Sequence, residues 1–148
     1  MSSFVMAFGI ATSIIAMQTG FKSIDLARGT TLASQIIQSE MERVRMLSWT
    51  TVTALSTATD TVAPFPTGSP AGIEMFDGAT YFSSNPAIAG KYTITRTVEP
   101  DSTRPTEVMN LTVQVSWLGY DNRAHTRSFR SMYAKNGLYD YYYTLAQP

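Results

Sequence analysis

The first charged residue in this chain is Lys22, and residues 1–21 contain no Lys, Arg, Asp, Glu or His. The first proline is Pro64, so no residue in the opening third breaks a helix outright. From Ser2 to about Ser48 the chain is rich in Ala, Met, Leu, Ile, Gln, Glu and Arg, which all tolerate helix. A continuous helix of that extent would be roughly 70 Å long at about 1.5 Å per residue. The remainder of a 148-residue chain can build only one small head, too small to bury such a rod from end to end. Part of the helix must therefore be covered by lipid or by other chains.

The rod divides into two halves of different chemistry. In residues 1–26, Phe4, Val5, Phe8, Ile10, Ile14, Ile15 and Met17, with Met6, Ala7, Ala11 and Ala16 among them, surround the axis on every side. A helix that is apolar all round belongs in a bilayer or inside a bundle. The uncharged stretch is close to the roughly 20 residues needed to cross hydrocarbon. In residues 27–49 the pattern becomes one stripe, with Leu32, Ala33, Ile36, Ile37, Met41, Val44 and Leu47 recurring at three- and four-residue steps. Leu32, Ile36, Ile37, Met41, Val44 and Leu47 are the expected contacts with the head. Glu40, Glu42, Arg43 and Arg45 read as falling mainly off the stripe, with Glu40–Arg43 and Glu42–Arg45 three apart as weak helix support. Gly9, Gly20 and Gly29 mark places of close helix approach or bending, or are simply tolerated, at about 1 kcal/mol each against alanine.

Residues 50–148 read as a β-rich head. Between 50 and 90, Thr, Ser, Ala, Pro and Gly dominate, predicting loop with short strands near 73–76 and 80–82. After Gly90 the period becomes two. Tyr92, Ile94 and Val98 alternate with Thr93, Thr95 and Thr97 in an edge-compatible strand. Met109, Leu111, Val113, Val115 and Trp117 alternate with Asn110, Thr112, Gln114 and Ser116, predicting one inward apolar face and one wet face. A turn at 119–123 leads to a strand near 126–134, and Asn136–Gly137 is a further turn signal. The fold class is α+β, a long N-terminal α-helix packed on a small antiparallel sheet.

Little in the chain points to catalysis. Net charge is zero, so no global field selects a nucleic-acid or acidic partner. Charged residues make up 15%, below the roughly 25% of an average soluble domain, and the uncharged opening stretch is where the shortfall concentrates. With no cysteine, disulfides and thiolate chemistry are excluded, and a single histidine, His125, excludes a multi-histidine metal site within one chain. His125 lies between Arg123 and Arg127 with no motif supplying a nucleophile or an orienting carboxylate, so an exposed strand histidine is expected. No phosphate loop, dinucleotide fingerprint, metalloprotease helix or calcium loop occurs. Asn110-Leu111-Thr112 matches a glycosylation acceptor but falls in mid-strand. The expectation is no catalytic residue, no cofactor, no metal and no small-molecule substrate.

Two features bear on binding. Arg123, Arg127, Arg130 and Lys135 gather in the last hairpin as a candidate ligand patch suited to phosphate contact. The plainer reading, a solvated strand face, is preferred. Tyr139, Tyr141, Tyr142 and Tyr143 around Asp140 offer large contact area with few rotatable bonds. A closing edge strand is preferred there over an adhesive surface.

The segment Ala27-Arg28-Gly29-Thr30-Thr31-Leu32-Ala33-Ser34-Gln35-Ile36-Ile37-Gln38-Ser39-Glu40-Met41-Glu42-Arg43-Val44-Arg45 resembles the second half of a minor pilin helix. The strand Val113-Gln114-Val115-Ser116-Trp117 resembles one near the end of many such heads. Taken together, the plan is similar to type IV pilins and type II secretion pseudopilins. The likeness touches both ends of the chain and leaves residues 50–90 uncovered. It implies a structural or minor subunit anchored in the inner membrane with a periplasmic head, or assembled into a filament, with other pilin-like subunits as partners through the N-terminal helix. DNA contact, known in some minor pilins, is the weaker expectation. The family's basic leader, glycine processing site and "FTLVE" opening have no counterpart, since Met1-Ser2-Ser3-Phe4 already resembles the apolar helix. The expectation is that the chain starts inside the family's mature helix, so the assembly glutamate is assigned to no residue. The competing reading is a single-helix membrane-anchored binding module of similar plan.

Overall fold

The computed structural model describes residues 2–57, 72–78, 81, 90–135 and 137. Along the chain run α1 (Ser2–Arg45), α2 (Trp49–Leu55), β1 (Ile73–Asp77), β2 (Tyr92–Pro100), β3 (Val108–Leu118) and β4 (Ala124–Ala134). The strands form one antiparallel sheet in the order β1-β2-β3-β4, and the long helix packs on one face of it. The class is α+β.

α1 is one unbroken helix of 44 residues, about 66 Å long at 1.5 Å per residue. It stops at Arg45, slightly before the limit suggested by composition. Leu47 N–H turns back to the Val44 carbonyl at 3.1 Å. Ser48 then takes an extended backbone and its Oγ accepts from Thr51 N–H at 3.3 Å, starting α2. That second helix corrects the expectation of loop and short strand after residue 50. The β-branched run Thr50-Thr51-Val52-Thr53 has low helix propensity. The Ser48 cap and the complete burial of Val52 compensate for it.

β2 is also corrected: it is an interior strand, paired along one side with β1 and along the other with β3. Its register with β3 sets Tyr92 opposite Trp117, Ile94 opposite Val115, Arg96 opposite Val113 and Val98 opposite Leu111. These side chains turn toward the helices, where Ala33, Ile36, Ile37, Met41 and Val44 of α1 and Val52 of α2 complete the core. Each fully buried large aliphatic side chain contributes about 1.5–3 kcal/mol, which holds the second half of α1 on the sheet.

The β3–β4 turn falls at 119–123. Gly119 N–H donates to the Arg123 carbonyl and Asn122 N–H to the Gly119 carbonyl, both at 2.9 Å. Asn122 has φ 62°, a left-handed conformation that asparagine tolerates better than most residues. Gly137 N–H donates to the Ala134 carbonyl at 3.0 Å where the last turn was expected; Asn136 lies outside the described residues. Of the strand expected at 80–82 only Tyr81 is described, and it is helical instead, its N–H donating to the Gly78 carbonyl at 3.0 Å. Tyr139, Asp140, Tyr141, Tyr142 and Tyr143 lie outside the described residues.

Candidate functional site

The apolar half of α1 has no cover within the described chain. Phe4, Val5, Phe8, Ile10, Ile14, Ile15 and Met17 are each between 51% and 83% exposed. Phe21, Ile24 and Leu26 continue the exposed run, and from Phe4 onward the first buried position of the helix is Gly29. By length and composition this is a helix able to cross a membrane. One such helix near an N-terminus is a weak sign of an anchor taken alone. What strengthens it is the exposure of every large apolar side chain along about five turns.

The other half is clamped to the head. Ile36, Ile37, Met41 and Val44 are buried, while Leu32 and Leu47 are half-buried against the same core. At the boundary, Tyr120 in the β3–β4 turn donates its N–H to Asp25 Oδ2 at 2.8 Å, tying the hairpin tip to the helix. One turn further on, the Trp117 indole lies against the helix backbone at Gly29. A Cβ there would stand 2.4 Å from Nε1, so only glycine permits this approach. Gly9 and Gly20, by contrast, meet nothing within 4 Å and sit in uninterrupted helix. At the far end, Tyr133 Oη donates to the Leu47 carbonyl at 2.6 Å and its ring stacks on Trp49.

Between these ends the interface contains a buried ion cluster. Glu40 is fully buried, which corrects the reading that placed it off the stripe. Arg96 Nη1 donates to Glu40 Oε1 at 2.6 Å. Arg43 donates from Nη2 to Oε1 at 2.7 Å and from Nε to Oε2 at 2.9 Å. Tyr81 Oη donates to Oε2 at 2.6 Å, and Arg96 pairs through Nη2 with Glu74 of β1. Burial by itself would raise the Glu40 pKa. Hydrogen bonds from Arg43 and Tyr81 and the charges of Arg96 and Arg43 outweigh it and hold the carboxyl below its ordinary value. Burial, and then the bond to Glu40, push the Tyr81 phenol well above its ordinary range. Two carboxylates thus balance two guanidinium groups, joining α1 to β1 and β2. The cluster registers the helix on the sheet. The signal was present in sequence: Glu40 lies four residues from both Ile36 and Val44, and Arg96 occupies an inward position of an alternating strand.

The candidate ligand patch does not assemble. Arg127 lies opposite buried Val115, on the helix side of the sheet, whereas Arg130 lies opposite Thr112 on the other face. Arg123 sits in the turn, 3.6 Å from Asp121, and Lys135 follows the other end of β4. At about 3.4 Å per residue that strand separates the two by more than 30 Å. The His125 ring stacks on Trp117, with centroids 5.5 Å apart. The nearest carboxylate oxygen, on Asp121, is 3.8 Å from its Nε2, too far for a hydrogen bond.

Comparison with protein-family models, curated protein sequences and solved structures yields no match.

Proposed function

We propose that this chain is a structural or minor subunit of a type IV pilus-like or type II secretion pseudopilus-like filament. Its apolar half-helix would anchor it in the inner membrane before assembly and enter the filament core afterwards. The observation that carries this reading is the free half of α1, apolar on every side and exposed along its length, joined without a break to a half that is clamped on the head. A packed sheet carried on such a rod has the plan that the pilin resemblance implies. No catalytic role is proposed, because among the described residues no convergent acid, base and nucleophile set forms around His125.

The test is a photo-cross-linking residue at Ile10 in the full chain, expressed in its native membrane. Adducts with other subunits that have the same helix-and-head plan are expected. Retention in the membrane with lipid adducts alone would replace the filament reading with a single-helix anchored binding module. Recovery of the chain as a soluble monomer would overturn both.

A further inference from the structure

We infer that the end of the head nearest the free helix is a lipid-docking surface, built to rest on an anionic bilayer through Tyr120, Leu118 and a set of basic side chains. The inference rests on the anchor reading above and adds a second contact with the membrane. Its geometry follows from the helix. Residues 2–21 span about 30 Å at 1.5 Å per residue, matching the roughly 30 Å hydrocarbon core. Asp25 then stands about 6 Å beyond Phe21, inside the polar headgroup layer. Asp25 is also the residue that binds Tyr120 N–H at 2.8 Å, so the β3–β4 tip is held at headgroup depth.

The side chains presented there suit that layer. Tyr120 is 80% exposed and Leu118 54%, although both adjoin a well-packed sheet end. Tyrosine favours the membrane–water boundary, where its ring meets acyl chains and its hydroxyl meets water. The register brings Lys91, next to Tyr92, to the same end of the sheet as Trp117 and His125. Lys22 and Arg28 flank Asp25 on the helix. Lys22, Arg28 and Lys91 are exposed and make no ion pair or hydrogen bond among the described residues. The carboxylates of Asp25 and Asp121 accept backbone N–H groups from Tyr120 and Arg123, and Asp77 of β1 stands at the same end. Free cations beside an exposed aromatic, continuous with an apolar helix, complement an anionic headgroup layer.

The chain has no cysteine, so single spin labels can be placed cleanly. Ala124 and Ala134 are exposed at opposite ends of β4, and Ile14 lies in the apolar half of α1. Each is changed to Cys, labelled, and the full chain reconstituted in phosphatidylcholine vesicles with and without phosphatidylglycerol. Relaxation by oxygen and by a water-soluble nickel chelate then reports depth. The expected result is a hydrocarbon depth at 14, a headgroup depth at 124 in the anionic vesicles, and water at 134. Adding Tyr120→Ala, or Arg28→Gln with Lys91→Gln, to Ala124→Cys should return that label to water. A label at 124 as water-accessible as the one at 134, with 14 still in hydrocarbon, overturns the docking surface and leaves the anchor standing. A label at 14 in water overturns both.

Discussion

Single residues decide how α1 seats on the sheet. Gly29→Ala would put a methyl 2.4 Å from Trp117 Nε1, and neither the helix backbone nor a buried indole yields easily. Helix propensity favours the change by about 1 kcal/mol, but overpacking of this kind typically costs about 1–3 kcal/mol. A net loss of stability, read as a lower denaturation midpoint in detergent, is expected. An unchanged or raised midpoint would show that the indole is not held there. Glu40→Leu removes one of the two carboxylates that pair with buried Arg96. The expected cost is near the lower end of the roughly 3–5 kcal/mol for breaking a buried pair, and adding Arg96→Met should recover much of it. The pH dependence has a definite sign. The Glu40 pKa is lower in the folded state than the unfolded value of about 4.3, so its contribution is complete above that value. It is lost as pH falls through it toward the folded pKa. The stability gap between wild type and Glu40→Leu should therefore narrow on acidification; a gap independent of pH would mean that Glu40 is not ionised in the folded protein.

At the scale of elements, α1 joins an exposed apolar half to a half packed on the sheet. Its halves predict opposite responses to the same kind of substitution. Ile14→Asp places a charge in the exposed apolar half and should abolish membrane retention or assembly, with head stability within about 0.5 kcal/mol of wild type. Carbonate extraction and a melting curve on the same sample check both statements. Val113→Asp places its charge at a fully buried point of β3 and should unfold the head at a cost of several kcal/mol. The elements also differ in how legible they were. α1 and most of β3 show through because long, regular periodicities report burial on one face directly; Asn110, expected on the wet face, is instead buried, its Nδ2 donating to Asp101 Oδ2 at 3.3 Å. α2 did not show through, because seven residues rich in threonine carry no periodic signal and depend on a cap and one buried valine. The basic patch failed for a geometric reason: residues close in sequence alternate faces along a strand, so Arg127 and Arg130 part company.

At the scale of the molecule, the greasy rod and the sheet are expected to separate in behaviour. The full chain should need detergent or lipid to stay dispersed, whereas residues 25–148, which keep the Asp25–Tyr120 bond and the whole packed interface, should be soluble without either. Sedimentation of the two in parallel measures this, and a shortened chain that still requires detergent would locate the exposed apolar surface in the head instead. Sequence alone determined the rod, its division into an all-round apolar half and a striped half, and the antiparallel strands that follow, because hydrophobic periodicity is a local record of what each element must bury. Only the tertiary structure decided that Glu40 and Arg96 meet inside, that Gly29 admits an indole, and that the hairpin tip is tied to the helix at Asp25. Those facts depend on which residues distant in the chain are brought face to face, and a one-dimensional pattern shows that a position points inward without showing what it meets there.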